Sequence, residues 1–404
     1  MQKSLEDGVP DGRFGDFCNS RRVFPTEAGG QEDDMKGSST GVWAWAEALE
    51  PVPEKSRISL GEGGTPLVRS RVIGPRAGLP GLCFKLENLS ATGSYKDRFA
   101  AVAVSDMLAR GQCRCLATSS GNTGAALAAY CAAAGIDCHV ALVETAPLEK
   151  CRQLLAYGAR LHRIRGFGLR PEVTGEVFQL LHEFGAQPAS AMQISAYRYS
   201  PRGMTGVQSI GLELPSQIDQ SIDHVFCPAG GCGAAVAIAR GFRWLAEHRG
   251  LPRVPRIEIV QPRGNDTIAS ALRRGEAVGR EIVCETKISG LQVPNLIDGN
   301  LAIAECGATG GTGHLVDDAE VWETQARLAR EEGIFCEPAG AAATAAVLKA
   351  CAAGEISREA IVVALVTGSG FKDAPSVERM TGGAPIPVVE FADFRKSVTS
   401  PAGS

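Results

Sequence analysis

The first turn of a helix is an unfavourable place for a cation. The stretch TGSYKDRFAAVAVSDMLARG sets Lys96 just inside a predicted helix, with Thr92 or Ser94 available as its cap. The positive end of the helix dipole disfavours an ammonium there and so favours the neutral amine. A neutral amine can attack a carbonyl and hold a Schiff base. Taken alone, Lys96 reads more plainly as a surface lysine, so the weight falls on its companions. Gly230, Gly231, Cys232, Gly233 and Ala234 lie between a predicted strand and a predicted helix. Glycines let a backbone approach an anion closely, and a helix N-terminus offers it free N–H groups. A tight turn is the bland alternative. A dinucleotide fits less well. Val236 stands where G-x-G-x-x-G/A wants its third small residue, and the next strand, IEIVQP, ends in Gln261 and Pro262 with no acid for a ribose. A cup for a single phosphate fits better.

The elements that must position these residues alternate along the chain. A short apolar run around Cys115 to Ser119 meets SSGNTG and then the helical AALAAYCAAAG, with Gly135 as its stop. CHVALV (138–143) and ARLHRI (159–164) read as strands around the helix APLEKCRQLLAYG, which stops at Gly158. HVFCPAG (224–230) reads as a strand entering the glycine loop, and AAVAIARGFRWLAEH as the helix leaving it. RIEIVQP and AIVVALVTGSG repeat the strand-then-loop form, Asp317 and Asp318 can cap a helix toward Glu332, and EPAGAAATAAVLKACAAG reads as a further helix. This alternation predicts an α/β protein with an open, mostly parallel sheet covered on both faces, and ligands at the carboxyl ends of its strands.

Composition narrows the function classes. The chain has 404 residues, which suggests two domains, and is 44% hydrophobic and 21% charged, enough to bury a sizeable core. A formal net charge of −4 with no basic stripe argues against nucleic acid as a partner. No run approaches the ~18 apolar residues of a membrane helix. Its start, MQKSLEDGVPDGRFGD, lacks a charged-then-apolar signal pattern. Thirteen scattered cysteines, without a paired CxxC, point to a reducing cytoplasm and away from a metal site or a disulfide framework. Residues 1–40 and the tail 396–404 read as flexible extensions.

Several of these motifs occur together and in order. TGSYKDR around Lys96, SSGNTG at 119–124, the GGCGA loop, EEGIFCEPAG at 331–340 and TGSGFKD at 367–373 resemble the fold-type II pyridoxal-phosphate enzymes. LGEGGTPLV (60–68), KLENLSATGSYKDR (85–98) and GIFCEPA make the chain similar to threonine synthases, over about residues 58–375. The resemblance implies two open, mostly parallel twisted sheets with helices on both faces, as in the tryptophan synthase β type. It implies a large cofactor-binding domain from 41–96 plus 206–395, a small mobile domain at 97–205, and a homodimer. Lys96 would be the Schiff-base lysine. Ser119, Ser120, Gly121, Asn122 and Thr123 would cradle the substrate carboxylate, with Asn122 beside the 3′-oxygen of pyridoxal 5'-phosphate. Gly230 to Ala234 would hold the cofactor's phosphate, and Thr367 would bond its ring nitrogen. A hydroxyl there cannot protonate the ring as an acid would, which suits elimination and replacement.

The resemblance has local departures. Cys232 and Ala234 replace the family's usual asparagines, Gln208 stands where the family has a lysine, and YSPRG (199–203) is an insertion. The expected activity is elimination and replacement on an activated amino acid, with O-phosphohomoserine plus water giving threonine and phosphate as the family's version. The alternatives are β-replacement on O-phosphoserine or another activated serine (cysteate, cysteine or a diamino acid), a threonine or serine dehydratase, and a catalytically silent binding protein. Dehydratases usually have His where Thr123 stands. With the lysine missing, Arg198 or Arg202 is the expected partner of the substrate's distal anion.

Overall fold

Two parallel sheets carry the chain's chemistry. In the computed structural model, which describes residues 41–399, they lie within one compact unit, Ser39–Ser404. The strands are β1 (Leu67–Arg69), β2 (Leu82–Leu86), β3 (Arg114–Ala117), β4 (Asp137–Leu142), β5 (Arg160–Arg163), β6 (Ser190–Met192), β7 (His224–Pro228), β8 (Arg256–Pro262), β9 (Gly313–Val316) and β10 (Val362–Val366). One sheet runs β1-β2-β10-β7-β8-β9, parallel except for β1 against β2, and the other runs β5-β4-β3-β6, all parallel. The helices are α1 (Ile73–Arg76), α2 (Lys96–Ala109), α3 (Asn122–Ala134), α4 (Leu148–Ala156), α5 (Pro171–Gly185), α6 (Pro201–Glu213) and α7 (Gly233–Arg249). They continue as α8 (Ala269–Arg273), α9 (Gly299–Gly307), α10 (Asp318–Glu332), α11 (Pro338–Ala352), α12 (Ala374–Thr381) and α13 (Phe391–Thr399).

Side-chain alternation explains why both sheet faces are covered. In β10, Val363 and Leu365 join one apolar cluster, and Val362, Ala364 and Val366 join another on the opposite face. In β3, Cys115 and Ala117 face the cluster that includes α3, and Leu116 packs with Val177 and Leu181 of α5. Strand edges fall within one or two residues of the expected runs. Gly135 ends α3 in the left-handed region at φ 66°, and Asp317 closes α10 with a capping box to Glu320.

Within the tail 396–404, expected to be flexible, residues 396–399 belong to α13. Phe391, Phe394 and Val398 recur at helical spacing there, although all three are exposed. The cysteine spacing pointed away from a metal cluster, yet the fold gathers Cys115, Cys131 and Cys138, with sulfurs within 4.8 Å of one another. Strand pairing does this: Cys115 of β3 and Cys138 of β4 are register partners. The extension assigned to 1–40 lies outside the described residues.

Candidate active site

The carboxyl ends of β3, β7 and β10 feed loops into one cavity of about 670 Å³. Lys96, Ser119 to Thr123, Gly230 to Ala234 and Thr367 all line it. Lys96 and Thr367 come together because the Tyr95 N–H donates to the Thr367 carbonyl at 3.2 Å.

The TGSYKDR motif is built to hold its lysine. Asp97 accepts from both the backbone N–H and the hydroxyl of Thr92, folding the segment before α2 back on itself. Thr92 therefore does not cap the helix. The Ser94 hydroxyl accepts from the Lys96 N–H, at 3.4 Å. Arg98 is fully buried and grips Glu87 with Nε and Nη2, each at 2.7 Å, and Glu213 at 2.6 and 2.9 Å. Lys85 completes the cluster, donating to Glu213, Gln217 and the Thr65 carbonyl. Burial would raise the Glu213 carboxyl, but the Arg98 and Lys85 charges hold it down at about 2.

Lys96 Nζ donates to Ser195 Oγ at 2.8 Å and lies 4.5 Å from the centre of the Tyr95 ring. Protein surrounds it except toward the cavity. Burial lowers its pKa to about 8, opposed by the nearby Asp298 carboxylate. A readily neutralised amine in a cavity is what carbonyl chemistry needs. The rate at which cofactor-free protein captures pyridoxal phosphate is therefore expected to rise about tenfold between pH 7 and 9 and then level off. Stopped-flow absorbance would record it. A rate still climbing tenfold per pH unit beyond pH 9 would mean an ordinary lysine pKa.

The geometry of the Gly230–Ala234 loop is specific. Cys232, the residue before α7, takes φ 71°, the only positive value at a non-glycine among the described residues. This left-handed turn ahead of a helix aims successive N–H groups at one point, as anion-binding nests do. At SSGNTG, a Cβ on Gly124 would lie 1.8 Å from the Ser119 carbonyl oxygen, so only glycine lets α3 close onto its own loop. The residues present fit pyridoxal phosphate: the Lys96 amine, the glycine loop at the start of α7 and Thr367 line one cavity.

Other expected residues have partners within the protein. The Asn122 amide donates to Glu337 at 2.8 Å. Burial raises the Glu337 carboxyl to about 7, with the Asn122 bond opposing. Arg198 and Arg202, expected to read a distal anion, do not line the cavity. Arg202 pairs with Glu50 at 3.2 Å and Asp106 at 3.1 Å on the outer face of α6. Only the backbone N–H of Arg198 points inward, to Asp298 at 3.0 Å, and its exposed guanidinium lies 5.8 Å from the Tyr199 ring centre. Gln208 is also diverted, donating to the Tyr197 hydroxyl. The cavity instead holds Lys150, Ser195 and Glu337, none of which had been assigned a role. The helical pattern of APLEKC put Lys150 on α4, but only the packing of the two sheets aims it inward.

A fold with two such sheets, with a lysine and a glycine loop at a helix start lining one cavity, fits a pyridoxal-phosphate enzyme architecture. The chain belongs to the family described as "Pyridoxal-phosphate dependent enzyme", whose model matches residues 58–368. It is similar to a threonine synthase of Methanosarcina acetivorans, 32% identical over 85% of this chain and 83% of that protein. A threonine synthase of Methanocaldococcus jannaschii is 31% identical over 86% of this chain and 84% of its own length. A processed threonine deaminase isoform 2 from Solanum lycopersicum shares the fold, with a TM-score of 0.66 at 20% identity over 85% of this chain and 94% of that one. The chain is thus a pyridoxal-phosphate-dependent lyase or synthase. No helix among the described residues is long and apolar enough to cross a membrane.

Proposed function

We propose that this enzyme performs elimination and replacement on an amino acid with an anionic leaving group, as a threonine synthase converting O-phosphohomoserine and water to threonine and phosphate. The observation that carries the reading is Lys150, a cation on the wall of the same cavity as Lys96 and the Ser119–Thr123 loop. The similarity to threonine synthases supports the choice of substrate. Pyridoxal phosphate, when bound, draws electrons from the substrate's α- and β-carbons so that protons can leave them. Lys96 Nζ takes and returns those protons, its low pKa giving it a neutral fraction at working pH. Ser195 orients Nζ through its hydroxyl. The N–H groups at the start of α3 receive the α-carboxylate. Lys150 reaches Ser289 and lies 3.7 Å from Asp373, within reach of a phosphate entering the cavity. In this reading 41–96 with 206–395 form the cofactor-bearing lobe, 97–205 the smaller mobile lobe, and two chains a cytoplasmic homodimer. The four-stranded sheet, whose strands all fall between 114 and 192, supports the division.

The test is phosphate release from O-phosphohomoserine, O-phosphoserine and O-phosphothreonine, with product analysis. Threonine from the first supports the reading, and turnover of O-phosphoserine alone replaces it with β-replacement. Lys150→Ala is expected to lower kcat/KM for the phosphorylated substrate more than tenfold, about 1.4 kcal/mol. Arg202→Ala, whose surface pairs contribute little, is expected to leave it within about twofold. Equal losses with the phosphorylated substrate and an uncharged analogue would remove Lys150 from the anion's site.

A further inference from the structure

The three thiols of Cys115, Cys131 and Cys138 lie away from the cofactor cavity, and the activity uses none of them. Their sulfurs fall within 4.8 Å of one another. They come from three elements, β3, α3 and β4. Cys115 and Cys131 are fully buried, and Cys138 is buried at 6% exposure. We infer that these three thiols form a binding site for one soft divalent d¹⁰ cation.

Geometry and charge both support this. Thiolates at ~2.3 Å from a common ion stand roughly 4 Å apart, so the sulfurs need to move little to surround one. A disulfide needs two sulfurs at ~2.05 Å and leaves the third unused. Soft thiolates select soft ions over calcium or magnesium. Binding breaks three S–H bonds, forms three metal–sulfur bonds and releases three protons. A divalent ion then leaves one net negative charge in the core, a monovalent ion two, and buried uncompensated charge is costly. Among the described residues no fourth His, Cys, Asp or Glu joins the group. Zinc, which takes four ligands in structural sites, is thereby less suited than an ion content with three sulfurs. An occupied site would tie β3 to α3, the two elements that flank the Ser119–Thr123 loop.

The probe is Cd²⁺ added to the holoenzyme. The variant Cys18→Ser/Cys113→Ser/Cys284→Ser/Cys351→Ser removes the cysteines that are not buried together with one outside the described residues. In it, one Cd²⁺ per chain should give a sulfur-to-cadmium absorption band and a ¹¹³Cd resonance in the range of three sulfur ligands. Thermal unfolding should shift upward. Adding Cys131→Ala or Cys138→Ala should weaken binding at least 100-fold and abolish the three-sulfur resonance. Cys138→Ala, nearer the surface, decides the matter if Cys131→Ala does not fold. Absence of the band in the four-serine variant would overturn the proposal, leaving the thiols as apolar core. So would a band that survives both alanine changes.

Discussion

Lys96→Ala is expected to reduce turnover by about 10⁴-fold or more, roughly 5.4 kcal/mol of barrier. In the proposed mechanism its amine has two tasks, covalent attachment and proton transfer, and no neighbour can perform both. Ser195, the group in contact with it, is a hydroxyl with no basic nitrogen. Among the cavity residues the other amine is Lys150, which is engaged with Ser289 and Asp373. Phosphate release measures the loss. Borohydride reduction of the wild-type holoenzyme, followed by peptide mapping, should place the pyridoxyl group on Lys96. A label on any other lysine, or a variant that keeps a tenth of the activity, would overturn the assignment.

The second large effect is expected two residues along. Arg98→Met should destabilise the protein by about 3–5 kcal/mol, because removing one partner leaves buried charge behind. Glu87 is fully buried and Glu213 nearly so, and between them they accept four of the guanidinium's bonds. Lys85 alone would remain to offset both carboxylates. Urea unfolding would record the change, and a loss under about 1 kcal/mol would mean that water or protonation relieves the site. The pH dependence has a definite sign. The folded-state pKa of Glu213 is depressed to about 2 from an ordinary 4.5. Its contribution is therefore fully present above about 4.5 and fades as pH falls toward 2. In Arg98→Met that acid-side fade should shrink, since the first of the two opposing cations is gone.

Much of this site could be read from one dimension. Lys96, the Ser119–Thr123 loop, the Gly230–Ala234 loop and the Thr367 turn, which line one cavity, each occupy a short run where a strand hands over to a loop or a helix begins. Such chemistry is local: a glycine pattern and a helix start create an anion cup whatever the rest of the chain does. The alternation of strand and helix likewise follows from neighbouring residues, because each strand must present apolar side chains to both faces of a parallel sheet. Arg198 and Arg202 show where locality ends. Their place in the sequence suggested an anion site, but a guanidinium goes to the nearest carboxylates, and for Arg202 those are Glu50 and Asp106, far away in the chain. The roles of Lys150 and Glu337 and the Cys115–Cys131–Cys138 cluster were hidden for the same reason. Chain order says which way a strand runs and what type of residue it carries. Only the packing of the two sheets decides which side chains, dozens of residues apart, share one cavity or one patch of core.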